Sequence, residues 1–169
     1  MPHAPQTRRA REAFGGRLGG FIYGTVLVLS VVVAEAAAFP DGPGHVALLV
    51  GVTTLVFWLA HVYAHGIAFS IGHDTRLSLA ELRTLARREA AILEAGVPIE
   101  AALLLAVVGV LSEQTAVWLA LGLGMAALTI TAVVFARVEH LGPLKLLAAI
   151  VANLAFGVTL IVLKVLVAH

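Results

Sequence analysis

Polar and apolar positions along the 169-residue chain separate into long uniform blocks and do not alternate. Five stretches, roughly 18–39, 45–70, 90–111, 115–136 and 144–167, are close to unbroken apolar runs. Each is near the length of about 20 residues that a helix needs to cross a bilayer. None shows the period-two alternation of a membrane strand, and all are too long for one. The predicted fold is therefore all-α, a polytopic membrane bundle of five transmembrane helices whose short links make consecutive spans antiparallel neighbours. The third stretch is the weakest. Its purely apolar part, 99–112, is interrupted by Glu100 and is short alone, so it must recruit residues before Pro98 or thin the bilayer around it.

Between the second and third stretches the pattern changes. Thr75-Arg76-Leu77-Ser78 can cap a helix, and helix formers run on to Ala95. Leu82, Leu85, Ala86 and Leu93 fall on one side of it, with Arg83, Arg87 and Glu94 on another. An interfacial amphipathic helix over about 76–95 is the expectation. Gly96 and Pro98 then bend the chain into the bilayer, because proline lacks the N–H and restricts the residue before it.

Charge gives the bundle a direction. Arg8, Arg9, Arg11 and Arg17 precede the first stretch, and Arg76, Arg83, Arg87 and Arg88 follow the second. Arg137 and Lys145 flank the link between the last two, whereas the links 40–44 and 112–114 contain no Lys or Arg. The positive-inside rule then puts the N-terminus in the cytoplasm and the C-terminus outside. Residues 1–17 are expected to form a basic cytoplasmic segment and 18–169 a single transmembrane domain in a cell's inner (cytoplasmic) membrane. Composition agrees with a membrane location: 60% of residues are hydrophobic and 12% charged, against about 45–50% and about 25% in soluble domains. Lys+Arg total 11 and Asp+Glu 10, a near-balance that argues against a nucleic-acid partner. The lipid bilayer is the first partner, and small residues such as Gly122, Gly124, Ala148 and Ala152 make a homodimer the second. The chain has no cysteine, which removes thiolate metal sites and cysteine nucleophiles.

The candidate chemistry lies in polar groups at membrane depth, where charge is costly and tends to be functional. His61 and His65 are spaced i,i+4, so both imidazoles share one helical face. Glu100 falls near the centre of the third stretch and Glu94 near its inner end, with Glu35 in the first stretch and Asn153 in the last. These six line the candidate transport path, with His61 beside Glu100 as its expected core. His61, His65, Glu94 and Glu100 are also the first candidates for holding a divalent metal ion. His73, Asp74, Glu139 and His140 form a second ligand set at the cytoplasmic mouth. No nucleophile elbow, phosphate loop or HExxH arrangement is present, and no catalytic residue is assigned.

The five stretches, the amphipathic segment from Thr75 to Pro98 with Glu81, Glu89 and Glu94, and the closing helix hairpin resemble the vacuolar iron transporter family. The resemblance implies five spans with a cytoplasmic N-terminus, a homodimer, and export of divalent metal against protons. Arg17, Phe21 and Gly24, with Trp58 and His61, are also similar to the prokaryotic lysosomal-type potassium channels. The chain as a whole looks like small integral membrane proteins of high-GC bacteria. Three functions stay open from the residues: transport of a proton or divalent cation, a non-transporting scaffold in which buried polar groups specify packing, and a haem or metal protein using His61 or His65.

Overall fold

The computed structural model describes residues 4–38, 42–73 and 78–167. They form six helices: α1 Ala4–Ala38, α2 Pro43–His73, α3 Leu79–Arg88, α4 Ala91–Val107, α5 Glu113–Val138 and α6 Pro143–Val167. No strand occurs among the described residues. Helix α1 is the hub, packing against α2, α4, α5 and α6.

Among the described residues three helical segments are long and apolar enough to cross a membrane: Ala13–Ala36, Gly44–Gly72 and Glu113–Val138. A fourth candidate is the pair α3 and α4, which qualifies only when joined and is bent by 49° at its break. Among the described residues α6 contributes a shorter apolar stretch, Pro143–Thr159, of 17 residues, against the about 20 a crossing takes. The expected five spans are thus corrected to three or four. An odd count holds only for three spans; with four the two termini share a side, so an inside N-terminus with an outside C-terminus no longer follows from the span count. The basic segment before residue 18 is continuous with α1, so helix formation there does not wait for the apolar run.

The amphipathic helix is real but shorter than expected. Ser78 caps α3: its hydroxyl accepts from the Glu81 N–H at 3.3 Å, and the Glu81 carboxylate accepts from the Ser78 N–H at 2.7 Å. This reciprocal box satisfies two donors that would otherwise be orphaned. α3 buries no residue and stops at Arg88, so the bend falls at Glu89–Ala90, well before Gly96–Pro98. Pro98 sits inside α4. A membrane helix tolerates an interior proline when its neighbours re-satisfy the freed backbone groups, and α4 is flanked by α1, α2 and α5. The Trp58 indole N–H donates to the Ala86 carbonyl at 3.2 Å. That oxygen belongs to the last turn of α3, where carbonyls lack helical partners.

Glycines set the closest helix approach. A Cβ on Gly24 would stand 2.8 Å from the Ile92 carbonyl oxygen and 2.9 Å from its Cα, so only glycine lets α1 and α4 meet there. A Cβ on Gly96 would be 3.4 Å from the Thr54 methyl and 3.5 Å from Val28, which fixes how far α4 slides along α2. Below this seam lies a core of Val28, Leu29, Val32, Val50, Ile99, Leu103, Val117, Leu121 and Leu128.

One end of the bundle collects the basic residues. Arg11 reaches Glu139 at 3.5 Å, joining the start of α1 to the end of α5. A single terminal nitrogen of Arg17 donates to both oxygens of Glu94, at 2.8 and 3.0 Å, joining α1 to α4. Arg88 lies over Gly16.

Candidate functional site

Two separate places in the bundle hold the candidate residues. The first is a polar cavity of about 310 Å³ at the arginine-rich end. It is lined by Gly16, Gly19, Gly20 and Tyr23 of α1, His61 and His65 of α2, Arg88, and Glu89 at the helix break. The glycine face of α1 leaves the space, and the i,i+4 spacing on α2 fills one wall with imidazoles. The Tyr23 and His61 rings have centroids 4.9 Å apart, and the two imidazoles 6.2 Å apart.

Each histidine bonds back to its own helix: His61 Nδ1 lies 3.0 Å from the Phe57 carbonyl, and His65 Nδ1 3.1 Å from that of His61. A carbonyl only accepts, so each Nδ1 carries the hydrogen and each Nε2 keeps its lone pair. The Glu89 carboxylate, only 13% exposed, stands 3.4 Å from His65 Nδ1. The break between α3 and α4 is what turns Glu89 inward. It has no signature in the sequence, because Glu89-Ala90-Ala91 reads as continuing helix.

The second place is the groove between α2 and α4. The carboxylate of Glu100 packs against Gly51, where a Cβ would sit 3.6 Å from Oε1. Its Oε2 is buried with no hydrogen-bond partner. Two apolar cavities, of about 380 and about 410 Å³, meet at this side chain, and both are also bounded by Gly51 and Leu104. The hydroxyl nearest the groove, Thr54, is already committed to the Val50 carbonyl at 2.7 Å. A carboxylate stranded in apolar surroundings is expensive, so Glu100 must hold a proton or a counter-cation.

The structure does not bring His61 to Glu100. Glu100 faces Gly51, ten residues before His61, which is about 15 Å along a helix, and the two line different cavities. The remaining candidates scatter. Glu94 is held by Arg17 and Glu139 by Arg11. Asn153 donates to the Ala149 carbonyl of its own helix at 3.1 Å. Glu35 is half-buried toward the other end of α1. His140 has φ 50° and follows the end of α5, where the N–H of Leu141 donates to the Ala136 carbonyl at 2.8 Å. That is a left-handed helix stop, a position that favours glycine. The side chain of His73, and all of Asp74, lie outside the described residues.

Among the described residues no three His, Asp or Glu side chains come close enough to share a metal ion. His61 and His65 stand on one helix, so they do not offer a haem two axial ligands from opposite sides. No family model matches the chain, and neither a curated protein nor a solved structure matches it. The likeness to the vacuolar iron transporters is therefore withdrawn: the described residues hold three or four candidate spans where it needs five, and no match supports it. The likeness to potassium channels has no match behind it either. What the fold and composition establish is an apolar multi-helix bundle of the kind found in membranes.

Proposed function

We propose that this bundle moves protons across a bacterial inner membrane, with Glu100 as the group that carries charge through its apolar part. The observation that carries this reading is the buried, partnerless Oε2 of Glu100 between α4 and α2, the latter long and apolar enough to cross a membrane. Buried polar groups are paired as a rule, and an exception calls for a functional explanation. The cavity lined by His61, His65 and Glu89 serves as the polar entrance, because its two imidazoles and its carboxylate offer proton donor and acceptor sites together. Of the transport path expected from the sequence, His61, His65 and Glu100 keep a place in this reading. Glu94 is held by an arginine.

A proton is preferred to a divalent metal because the ligands a metal needs do not converge among the described residues. About 15 Å of helix separates entrance and carrier, so the two sites must connect in turn. α4, short and with Pro98 in its interior, is the element that moves in this reading. Purified protein in liposomes loaded with a pH-sensitive dye, driven by a potassium diffusion potential, tests it. Dye acidification or alkalinisation above the protein-free leak, unaffected by manganese or zinc, is the expected result. No flux above the leak contradicts the proposal.

A scaffold is the second reading, favoured by a specific set of contacts. Arg17 to Glu94, Arg11 to Glu139 and Trp58 to Ala86 each tie two elements together and need no transport to explain them.

A further inference from the structure

We propose that the α2/α4 groove binds a lipophilic monovalent cation, a quaternary ammonium or phosphonium amphiphile, with Glu100 as its counter-charge. This deepens the proton-transport reading and rests on it: one carboxylate serves the proton and the organic cation in turn.

The chemistry of the groove selects this class. Apart from Glu100 and Thr54, its lining is aliphatic or glycine, including Leu93, Val97 and Ala101 on one side of the acid and Leu48, Val52 and Leu55 on the other. The Thr54 hydroxyl donates to its own helix. One negative charge is thus available with almost no hydrogen-bonding capacity around it. A primary ammonium would strand its donors there, and a metal ion would lose its hydration shell without replacement ligands. A quaternary onium ion has no donors to satisfy and a large apolar surface to bury. Cavities of about 380 and about 410 Å³ are within the range of small-molecule sites. Gly51 leaves the acid's flank open, since a Cβ there would meet Glu100 at 3.6 Å.

Access fits as well. Leu48, Val52, Leu55, Val97 and Leu104 are all exposed along the groove, so its mouth opens sideways, toward where acyl chains would lie, and an amphiphile enters from the lipid. No other titratable group lines either cavity. On the elements packed against α4, the titratable groups toward this end are His45 of α2, Glu35 of α1 and Glu113 of α5. Arg17, paired with Glu94, belongs to the opposite end of the bundle, at the start of α4.

Equilibrium dialysis of tetraphenylphosphonium against the purified full chain in neutral detergent tests the proposal, with uncharged triphenylphosphine oxide as control. Saturable binding of the cation alone is expected, weakening as the medium is acidified and the acid takes up a proton. Glu100→Gln should weaken it at least about 30-fold, as loss of one partner of a desolvated charge pair does, and Glu100→Asp should retain pH-dependent binding. Gly51→Leu, which fills the space beside the acid, should weaken binding about tenfold with an unchanged melting temperature. No saturable binding by the wild type, or equal binding by Glu100→Gln, overturns the proposal; so does a dimer in which a second copy closes the groove and no phosphonium enters. Proton flux from the same preparation separates the two claims. Flux without binding removes only the organic cation, and binding without flux removes only the transport reading.

Discussion

At the arginine-rich end of the bundle every described carboxylate has been met: Glu94 by Arg17, Glu139 by Arg11, Glu89 by His65, and Glu81 by the N-cap of its own helix. In the α2/α4 groove the single carboxylate of Glu100 keeps one oxygen with no partner at all. The two regions use the same functional group for different ends. Where water and guanidinium groups are at hand, acids hold helices in register at little cost. In the apolar groove an acid weakens the fold, and it is the place to look for function.

Substituting both kinds of acid breaks or sharpens this comparison. Glu100→Leu removes a stranded polar group, so thermal unfolding in detergent should show a gain of about 1–2 kcal/mol. A loss of stability there would mean that the acid is satisfied by something the groove conceals. The seam that joins the two regions should be less forgiving. Gly24→Ala pushes a methyl into the Ile92 backbone and should cost about 1–3 kcal/mol. Gly122→Ala, with nothing within 4 Å of the added carbon, should leave the melting temperature unchanged or slightly raised.

Smaller effects are expected at the arginine-rich end. Trp58→Phe deletes the hydrogen bond to Ala86 and should cost about 1 kcal/mol, with faster proteolysis confined to the segment around α3. Arg17→Gln breaks an ion pair whose side chains are about half exposed, 53% and 50%. A pair of that kind is worth at most about 1 kcal/mol and less in high salt, so wild-type and variant melting curves should converge as salt is raised.

Much of the fold was legible in the chain. Apolar run length located α1, α2 and α5, and the capping stretch 75–78 marked where α3 begins, its N-cap being Ser78. Two features were not legible, for physical reasons. The bend at Glu89–Ala90 occurs among good helix formers, while Gly96 and Pro98, the residues that look like breakers, are absorbed into α4. Tertiary packing outweighs local propensity there: Gly96 is needed where α4 crosses Thr54 and Val28. The same contact sets the register of α4 on α2. Centring each apolar run in a bilayer put His61 and Glu100 at one depth, but the Gly96–Thr54 contact slides Glu100 down to Gly51. The candidate site was therefore half legible. The paired imidazoles and the lone acid could be named from the sequence, whereas Glu89 and Gly51, which complete their surroundings, become visible only once the helices are packed.

Proton flux in proteoliposomes bearing Glu100→Gln, set beside Glu94→Gln under an identical gradient, tests most directly whether the unpaired acid carries the function and the paired acids the architecture. The account predicts that Glu100→Gln falls to the protein-free leak while Glu94→Gln keeps most of the wild-type flux. Retained flux in Glu100→Gln, with loss in Glu94→Gln, would contradict it.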